Sequence, residues 1–142
     1  MTEVIEFFSG IPESKQTFRY AENKWTPKEL LLHIADAERV FSFRALTLGR
    51  GDTTAVFPNM DENIFAENVD PSDRSMQDIV YEFEAVRMAS IYLFNNLTPE
   101  RLRTKGNLFG YPVTPYGFAY IIIGHTLHHM KIINERYLNT PA

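Results

Sequence analysis

The sequence predicts an all-α fold, a four-helix bundle with a short first helix and a long connection between helices 2 and 3. Apolar residues recur at intervals of three and four along three long segments, which is the period of a helix buried on one side. Helix-capping residues precede these segments, and no segment shows the alternation of a strand. The 142 residues, of which 44% are hydrophobic, suit a single domain over 1–142 with one core.

The first two helices are predicted from the turn-forming and capping residues at their ends. The first covers residues 2–9, and a proline separates it from a short turn through 13–18. The second has the clearest start in the chain, since Thr26 is a good N-cap, Pro27 suits the first helical position and Glu29 completes a capping box. One face of this helix carries a continuous apolar stripe: Leu30, Ile34, Ala37, Phe41, Ala45 and Leu48.

The connection between helices 2 and 3 covers residues 52–74 and is rich in turn-forming residues. One helical turn is predicted near 62–67. A connection of this length in a small domain is often functional, and residues 61–63 are expected to rim a pocket without taking part in catalysis.

The last two helices are also marked by their caps. The third begins at Ser75, and one of its faces carries Ile79, Phe83, Val86, Ser90, Leu93 and Leu97. A turn-rich connection over 103–113 then leads to Thr114, an N-cap followed by proline. The fourth helix is predicted to run from there to about residue 138.

Composition and charge exclude several classes of protein. With a formal net charge of -4 and scattered basic residues, the chain lacks the basic face that nucleic-acid binding needs. The absence of cysteine excludes disulfides, a cysteine-based zinc site and a cysteine nucleophile. The longest apolar run, 118–123, is far shorter than the ~20 residues that span a bilayer, and the N-terminal residues are acidic where those of a signal peptide are basic. We therefore expect a cytoplasmic protein that binds neither membranes nor nucleic acids.

The distribution of the four histidines indicates a candidate metal-binding site. Helix 2 carries His33 on its apolar stripe, and helix 4 carries the other three close together. Since an α-helix turns by ~100° per residue, His125 and His129 lie on one face, where two imidazoles can hold the same metal ion. If helices 2 and 4 pack together, the three side chains converge into a site with an open position, as in reactive zinc-type sites.

A less specific interpretation stays open, because a histidine on an apolar helix face is commonly a packed core residue. His128 lies ~60° from His125 and ~100° from His129 around helix 4. It is therefore either a polar residue at the edge of the bundle or a residue that contacts a metal ligand or a substrate. Thr126 stands where a His-Glu-x-x-His metalloprotease has its glutamate, which excludes that class.

Asp36 and Arg44 are weaker candidates for the site. Asp36 lies one turn beyond His33 and can hydrogen-bond a ligand histidine, although a surface or interhelical carboxylate is an equal alternative. Arg44 falls ~20° from His33 around the helix, three turns away, and can bind a substrate carboxylate. The alternative that the sequence favours is an ion pair of this arginine with Glu82 or Glu84.

Several stretches resemble the DinB-like family of four-helix bundles. They occur in the family's order along 20–138 and include the surroundings of all the histidines. The matching stretches are 25–41, 44–46, 49–52, 61–63, 83–87, 124–129 and 135–138. One feature departs from the family, since the chain before Trp25 is short; either the first helix is reduced or a partner subunit completes the bundle.

The resemblance implies a nickel or zinc ion held by His33, His125 and His129, a small-molecule substrate and a homodimer. The implied activity is a thiol-dependent S-transferase that acts on small electrophiles with a low-molecular-weight thiol such as mycothiol, bacillithiol or glutathione. The ligand set equally allows a hydrolase that uses metal-bound hydroxide. Two alternatives remain: a non-catalytic metal- or ligand-binding stress-response protein, whose site Asp36 or Glu38 closes as a fourth ligand, and a site of packed histidines without metal.

Overall fold

The structure is a computed structural model that describes residues 1–139, so the last three residues of the predicted domain lie outside the described part. Its helices are α1 (Thr2–Ser9), α2 (Glu13–Gln16), α3 (Pro27–Gly49), α4 (Glu62–Glu67), α5 (Met76–Asn95), α6 (Pro99–Leu102) and α7 (Pro115–Ile133). Two short strands, β1 (Gly106–Leu108) and β2 (Tyr111–Val113), precede α7. Helix α3 packs along both α5 and α7 and is therefore central, while α1 packs against α5.

This arrangement confirms the predicted bundle class. The short first helix has only eight residues, and α4 is the helical turn predicted within the long connection between α3 and α5. Helix α7 ends earlier than predicted, at Ile133, and a π-helical turn continues it over Asn134–Leu138. In that turn, Tyr137 is buried and donates a hydrogen bond to the carbonyl oxygen of Trp25, which fixes the segment that enters α3.

Side-chain caps start the long helices at the predicted residues. The Thr26 hydroxyl accepts a hydrogen bond from the backbone N–H of Glu29, and the Glu29 carboxylate accepts one from the Thr26 N–H at 2.6 Å. Ser75 and Thr114 accept equivalent bonds at the starts of α5 and α7. Each cap stabilises its helix by about 1 kcal/mol. The start of each helix is therefore determined by the sequence next to it.

The predicted apolar faces form the core. The buried members of the α3 stripe are Leu30, Ile34, Ala37, Ala45 and Leu48. The first two share a cluster with Ile79 and Phe83 of α5, and the last two share a second cluster with Phe118 of α7. Phe41, in the same stripe, is only half-buried because it borders a cavity. None of the described helices is long and apolar enough to cross a membrane.

A β-hairpin occupies part of the connection 103–113, for which the sequence predicted turns alone. Strands β1 and β2 pair antiparallel. Phe109 (φ 54°) and Gly110 (φ 91°) form a two-residue turn with positive φ at both positions, as in type I′ hairpins. The pattern hides this hairpin because three-residue strands are too short to show alternation, and phenylalanine is an unusual first residue for such a turn.

Candidate metal centre

Helices α3 and α7 bring three imidazole nitrogens to one point. The Nε2 atom of His125 lies 3.0 Å from Nε2 of His33 and 3.0 Å from Nε2 of His129. One ring nitrogen from each of the three residues lies within 4.8 Å of the others, and all three side chains are half-buried. Metal–nitrogen distances of ~2.0–2.1 Å place two imidazole nitrogens on one ion roughly 3.0–3.4 Å apart. The observed separations therefore fit one shared ion.

Protons alone satisfy this cluster poorly. A neutral imidazole nitrogen carries either one hydrogen or one lone pair, so Nε2 of His125 cannot form a good hydrogen bond with both neighbours at once. A cation at the centre would accept all three lone pairs together. The chemistry of the donor set thus fits a metal ion better than it fits a packed histidine cluster.

Burial keeps the three rings in the neutral form that a metal ligand requires. It is the main cause that lowers the pKa of His33 to about 4 and that of His129 to about 3. Burial also lowers the pKa of His125, and the charge of His128 acts in the same direction. The negative charge of Glu62 opposes these effects at His33 and His125, so this carboxylate lies near the cluster.

An aromatic contact and a buried polar link lie beside the cluster. The indole of Trp25 lies 4.7 Å from the ring of His33, centroid to centroid. On α7, the residue after the first histidine is the buried Thr126, whose hydroxyl accepts a hydrogen bond from Arg87 at 3.0 Å. Arg87 of α5 in turn donates to both carboxylate oxygens of Glu38 on α3. This polar link joins the three long helices next to the histidines, and no pattern in the sequence indicated it.

No carboxylate of the described residues joins the three nitrogens as a fourth ligand. Asp36 accepts a hydrogen bond from Arg39 at 2.7 Å, which is the surface-carboxylate alternative, and Glu38 is committed to its arginine partner. The Nδ1 atoms of His33 and His129 are buried without a hydrogen-bond partner in the described chain, so Asp36 does not orient either ring. The cluster therefore keeps one side open.

That open side faces a cavity of about 460 Å³. Its wall is formed by α3, α7, the hairpin and the connection that precedes α4. The lining residues beside the three histidines include Trp25, Phe41, Arg44, Asn59, Met60, Glu62, Phe109 and His128. A cavity of this size holds a small organic molecule next to the nitrogens.

Comparison with protein families matches residues 2–133 to the DinB superfamily. The chain belongs to the DinB superfamily. The resemblance seen in the sequence is thereby confirmed over nearly the whole chain. A search among curated proteins found no match to this DinB chain.

Two solved structures from Bacillus subtilis share the DinB fold. YfiT, described as a probable metal-dependent hydrolase with an unusual four-helix bundle topology, superposes with a TM-score of 0.79 over 94% of this chain and 79% of its own, at 18% sequence identity. The DinB-like protein YjoA superposes with a TM-score of 0.61 over 96% of this chain and 85% of its own, also at 18% identity. At this level of identity, the likeness establishes the fold.

In this DinB chain, Arg44 lines the cavity, and the favoured prediction of an ion pair with Glu82 or Glu84 is wrong. Glu82 pairs instead with Arg39 and Arg74, both at 2.6 Å. Arg44 is 4% exposed and donates one hydrogen bond, to the carbonyl oxygen of Pro58 at 2.7 Å. The error arose because the helix wheel gave the direction of the side chain but not the course of the connection that covers it.

The remaining polar candidates lie at the rim of the cavity. His128 is exposed, and its ring lies 5.3 Å from that of His129. Of the segment 61–63, which was expected to rim the pocket, only Glu62 lines this cavity; Asp61 caps α4, and Asn63 is not among the lining residues. The sequence assigned Glu62 no chemical role, since only the fold of the long connection brings its carboxylate near the histidines.

Proposed function

We propose that this DinB chain is a metal-dependent enzyme, in the first place a hydrolase of small molecules, with a zinc or nickel ion held by His33, His125 and His129. The observation that carries the proposal is the convergence of three neutral imidazoles at the edge of a cavity, with no fourth protein ligand among the described residues. A structural metal site is normally closed by four protein ligands, whereas a catalytic site keeps a position open. This openness favours an enzyme over the non-catalytic stress-response alternative.

The residues around the metal site would contribute to the reaction in different ways. When bound, the ion supplies Lewis acidity and lowers the pKa of water toward neutrality. Glu62 stands at the rim near His33 and His125, where its carboxylate can accept a proton. Trp25 and Phe109 give the cavity apolar walls, on which the apolar part of a small molecule can pack. The likeness to YfiT, described as a probable metal-dependent hydrolase, supports the same reaction class.

A thiol-dependent S-transferase is the second candidate, because the cavity wall contains no hydroxyl, thiol or amine nucleophile among the described residues. Water, or a thiol that arrives with a cofactor, can supply the attacking group. The ion that His33, His125 and His129 would hold would lower the pKa of such a thiol, and the thiolate would then add to a small electrophile or displace its leaving group. The homodimer implied by the resemblance stays a prediction, which light scattering on the purified protein can measure.

Metal content and activity of purified protein test this proposal together. We expect about one zinc or nickel per chain in the wild type and in His128→Ala, and a loss of metal in His129→Ala. His128→Ala is the matched control, since it removes a neighbouring histidine that does not belong to the cluster. Nickel binding has a second readout: Trp25 is the one tryptophan of the chain and lies beside His33, so bound Ni²⁺ should quench its fluorescence.

Activity follows on the loaded protein with small esters, amides and electrophiles, each with and without glutathione. Hydrolysis that chelation abolishes and reloading restores supports the hydrolase, whereas turnover that requires the thiol supports the S-transferase. A wild type that takes up no metal after reloading, or a His129→Ala variant that binds metal like the wild type, would contradict the proposed site.

A further inference from the structure

Arg44 is a buried cation without an acidic partner in the described chain. Other basic side chains of the described residues form ion pairs, among them Arg19, Arg39, Arg74, Arg87 and Lys131, but Arg44 does not. Arg44 is 4% exposed and has one hydrogen bond, to the Pro58 carbonyl. Buried arginines are normally paired, since an uncompensated charge away from water is unfavourable. The unpaired state of this residue therefore calls for an explanation.

The surroundings of Arg44 leave its guanidinium available to a ligand. Its Cζ atom lies 5.7 Å from the ring centroids of both Phe41 and Phe109, and 6.0 Å from that of Phe57. These aromatic faces hold the cation in a fixed position without neutralising it. Phe109 reaches this position from a backbone with φ 54°, a strained conformation for a bulky residue. The hairpin thus places an aromatic ring on the arginine at the expense of local strain.

We propose that Arg44 binds the carboxylate of a small-molecule substrate in the cavity that it shares with the three histidines. The inference rests on the proposed function, since it takes this cavity to be the active site. A guanidinium has several N–H donors in one plane, and this geometry matches the two oxygens of a carboxylate. Only one of these donors is committed, to Pro58.

The positions of the two ends define the substrate class. The ring of Phe41 lies between them, with its centroid 6.3 Å from the ring of His125 and 5.7 Å from Cζ of Arg44. A substrate that spans the cavity therefore has a carboxylate at the arginine end, an apolar or aromatic middle on Phe41, and its reacting group at the histidine end. Lysine would supply the charge but not the planar set of donors.

A purely structural role for Arg44 is the alternative, with the guanidinium serving only to hold the connection at Pro58. The two roles differ in what they predict for binding. A structural arginine does not distinguish an anionic ligand from a neutral one of the same shape, whereas a carboxylate-binding arginine does.

The test measures benzoate and benzamide binding to metal-free protein by calorimetry and by Trp25 fluorescence. We expect the wild type to bind benzoate about tenfold or more tightly than benzamide, and Arg44→Met to lose this preference, as for hydrogen bonds to a charged group. Arg50→Met is the matched control, since it removes an exposed arginine that directly follows the same helix, and it should keep the preference. Arg44→Lys should retain only part of it.

Equal binding of benzoate and benzamide by the wild type would overturn the inference, and this comparison requires no variant to fold. An Arg44→Met protein that is folded and still prefers benzoate would overturn it as well. Because the measurement uses metal-free protein, it does not require a bound metal ion. A failure of the metal experiment and a failure of this one can therefore be told apart.

Discussion

Arg44 of α3 and Arg87 of α5, which contacts α3, are both largely buried, but they differ in their partners. Arg87 donates to both oxygens of Glu38, at 2.8 and 3.0 Å, and to the Thr126 hydroxyl at 3.0 Å. Arg44 has a single carbonyl partner and faces the cavity. The fold thus provides Arg87, which joins three helices, with both a counter-charge and a hydroxyl partner. Arg44, which shares a cavity with the histidines, has no acidic partner among the described residues. We infer that a ligand in this cavity supplies the negative charge.

The largest expected effect comes from breaking the complete pair. Glu38 is 2% exposed, so Glu38→Gln leaves Arg87 buried without its counter-charge. We expect the free energy of unfolding to fall by about 3–5 kcal/mol, as measured by urea denaturation. The matched control is Asp36→Asn on the same helix, which breaks a more exposed pair and should lower stability by less than about 1 kcal/mol. Similar losses in the two variants would mean that the Glu38 pair is no more than a surface contact.

The next largest expected effect concerns the histidine cluster, for which we propose a metal ion as the partner. With zinc at about 100 times its dissociation constant, we expect the wild type to gain about 2.7 kcal/mol of stability, visible as a rise in melting temperature that chelator reverses. His129→Ala should show no such rise, and His128→Ala should behave like the wild type. A chelator-insensitive melting temperature in zinc-loaded wild type would speak against metal binding by the native fold.

Removal of the unpaired arginine should affect stability far less than removal of the paired one. Arg44→Met loses one hydrogen bond, worth about 1 kcal/mol, but it also removes an uncompensated buried charge. We therefore expect a change within about 1 kcal/mol in urea denaturation, against several kcal/mol for Arg87→Met, which strands Glu38. If the two variants lose the same stability, the contrast between the two regions is wrong and Arg44 is a structural residue.

The smallest effect is a pH dependence at a partly exposed ion pair. Burial acts to raise the pKa of Glu82, but hydrogen bonds and charges from Arg39 and Arg74 lower it overall. Its stabilisation is therefore present above the ordinary carboxylate pKa and is lost as the pH falls through the lowered value. We expect Glu82→Gln to be less stable than the wild type by about 1 kcal/mol or less at pH 7. Melting curves of the two proteins should converge in acid, below the ordinary carboxylate pKa, and a gap that widened there would contradict the sign of the shift.

Local signals account for what the sequence could predict. Caps at Thr26, Ser75 and Thr114 mark the helix starts, and the helical period assigns the buried faces, because both depend on neighbours in the chain. The histidine cluster was within reach for the same reason: His125 and His129 are one turn apart, and His33 lies on an apolar stripe.

What the sequence could not predict depends on contacts between distant segments. The hairpin turn at Phe109, the position of Glu62 at the cavity and the partner of Arg44 are all set by how two connections fold back onto α3. A helical wheel gives the direction of Arg44, but it cannot tell whether an acidic residue or a cavity lies in that direction. Such residues stand out only after packing is known.

The most direct test of the metal centre is a crystal structure of the protein grown with zinc, with anomalous diffraction data collected at the zinc edge. We predict one strong anomalous peak ~2.0–2.1 Å from the Nε2 atoms of His33, His125 and His129. On the side of the cavity that Arg44 lines, the ion should have no protein ligand. An empty cluster in crystals that bind zinc elsewhere would contradict the metal centre, and with it the proposed chemistry.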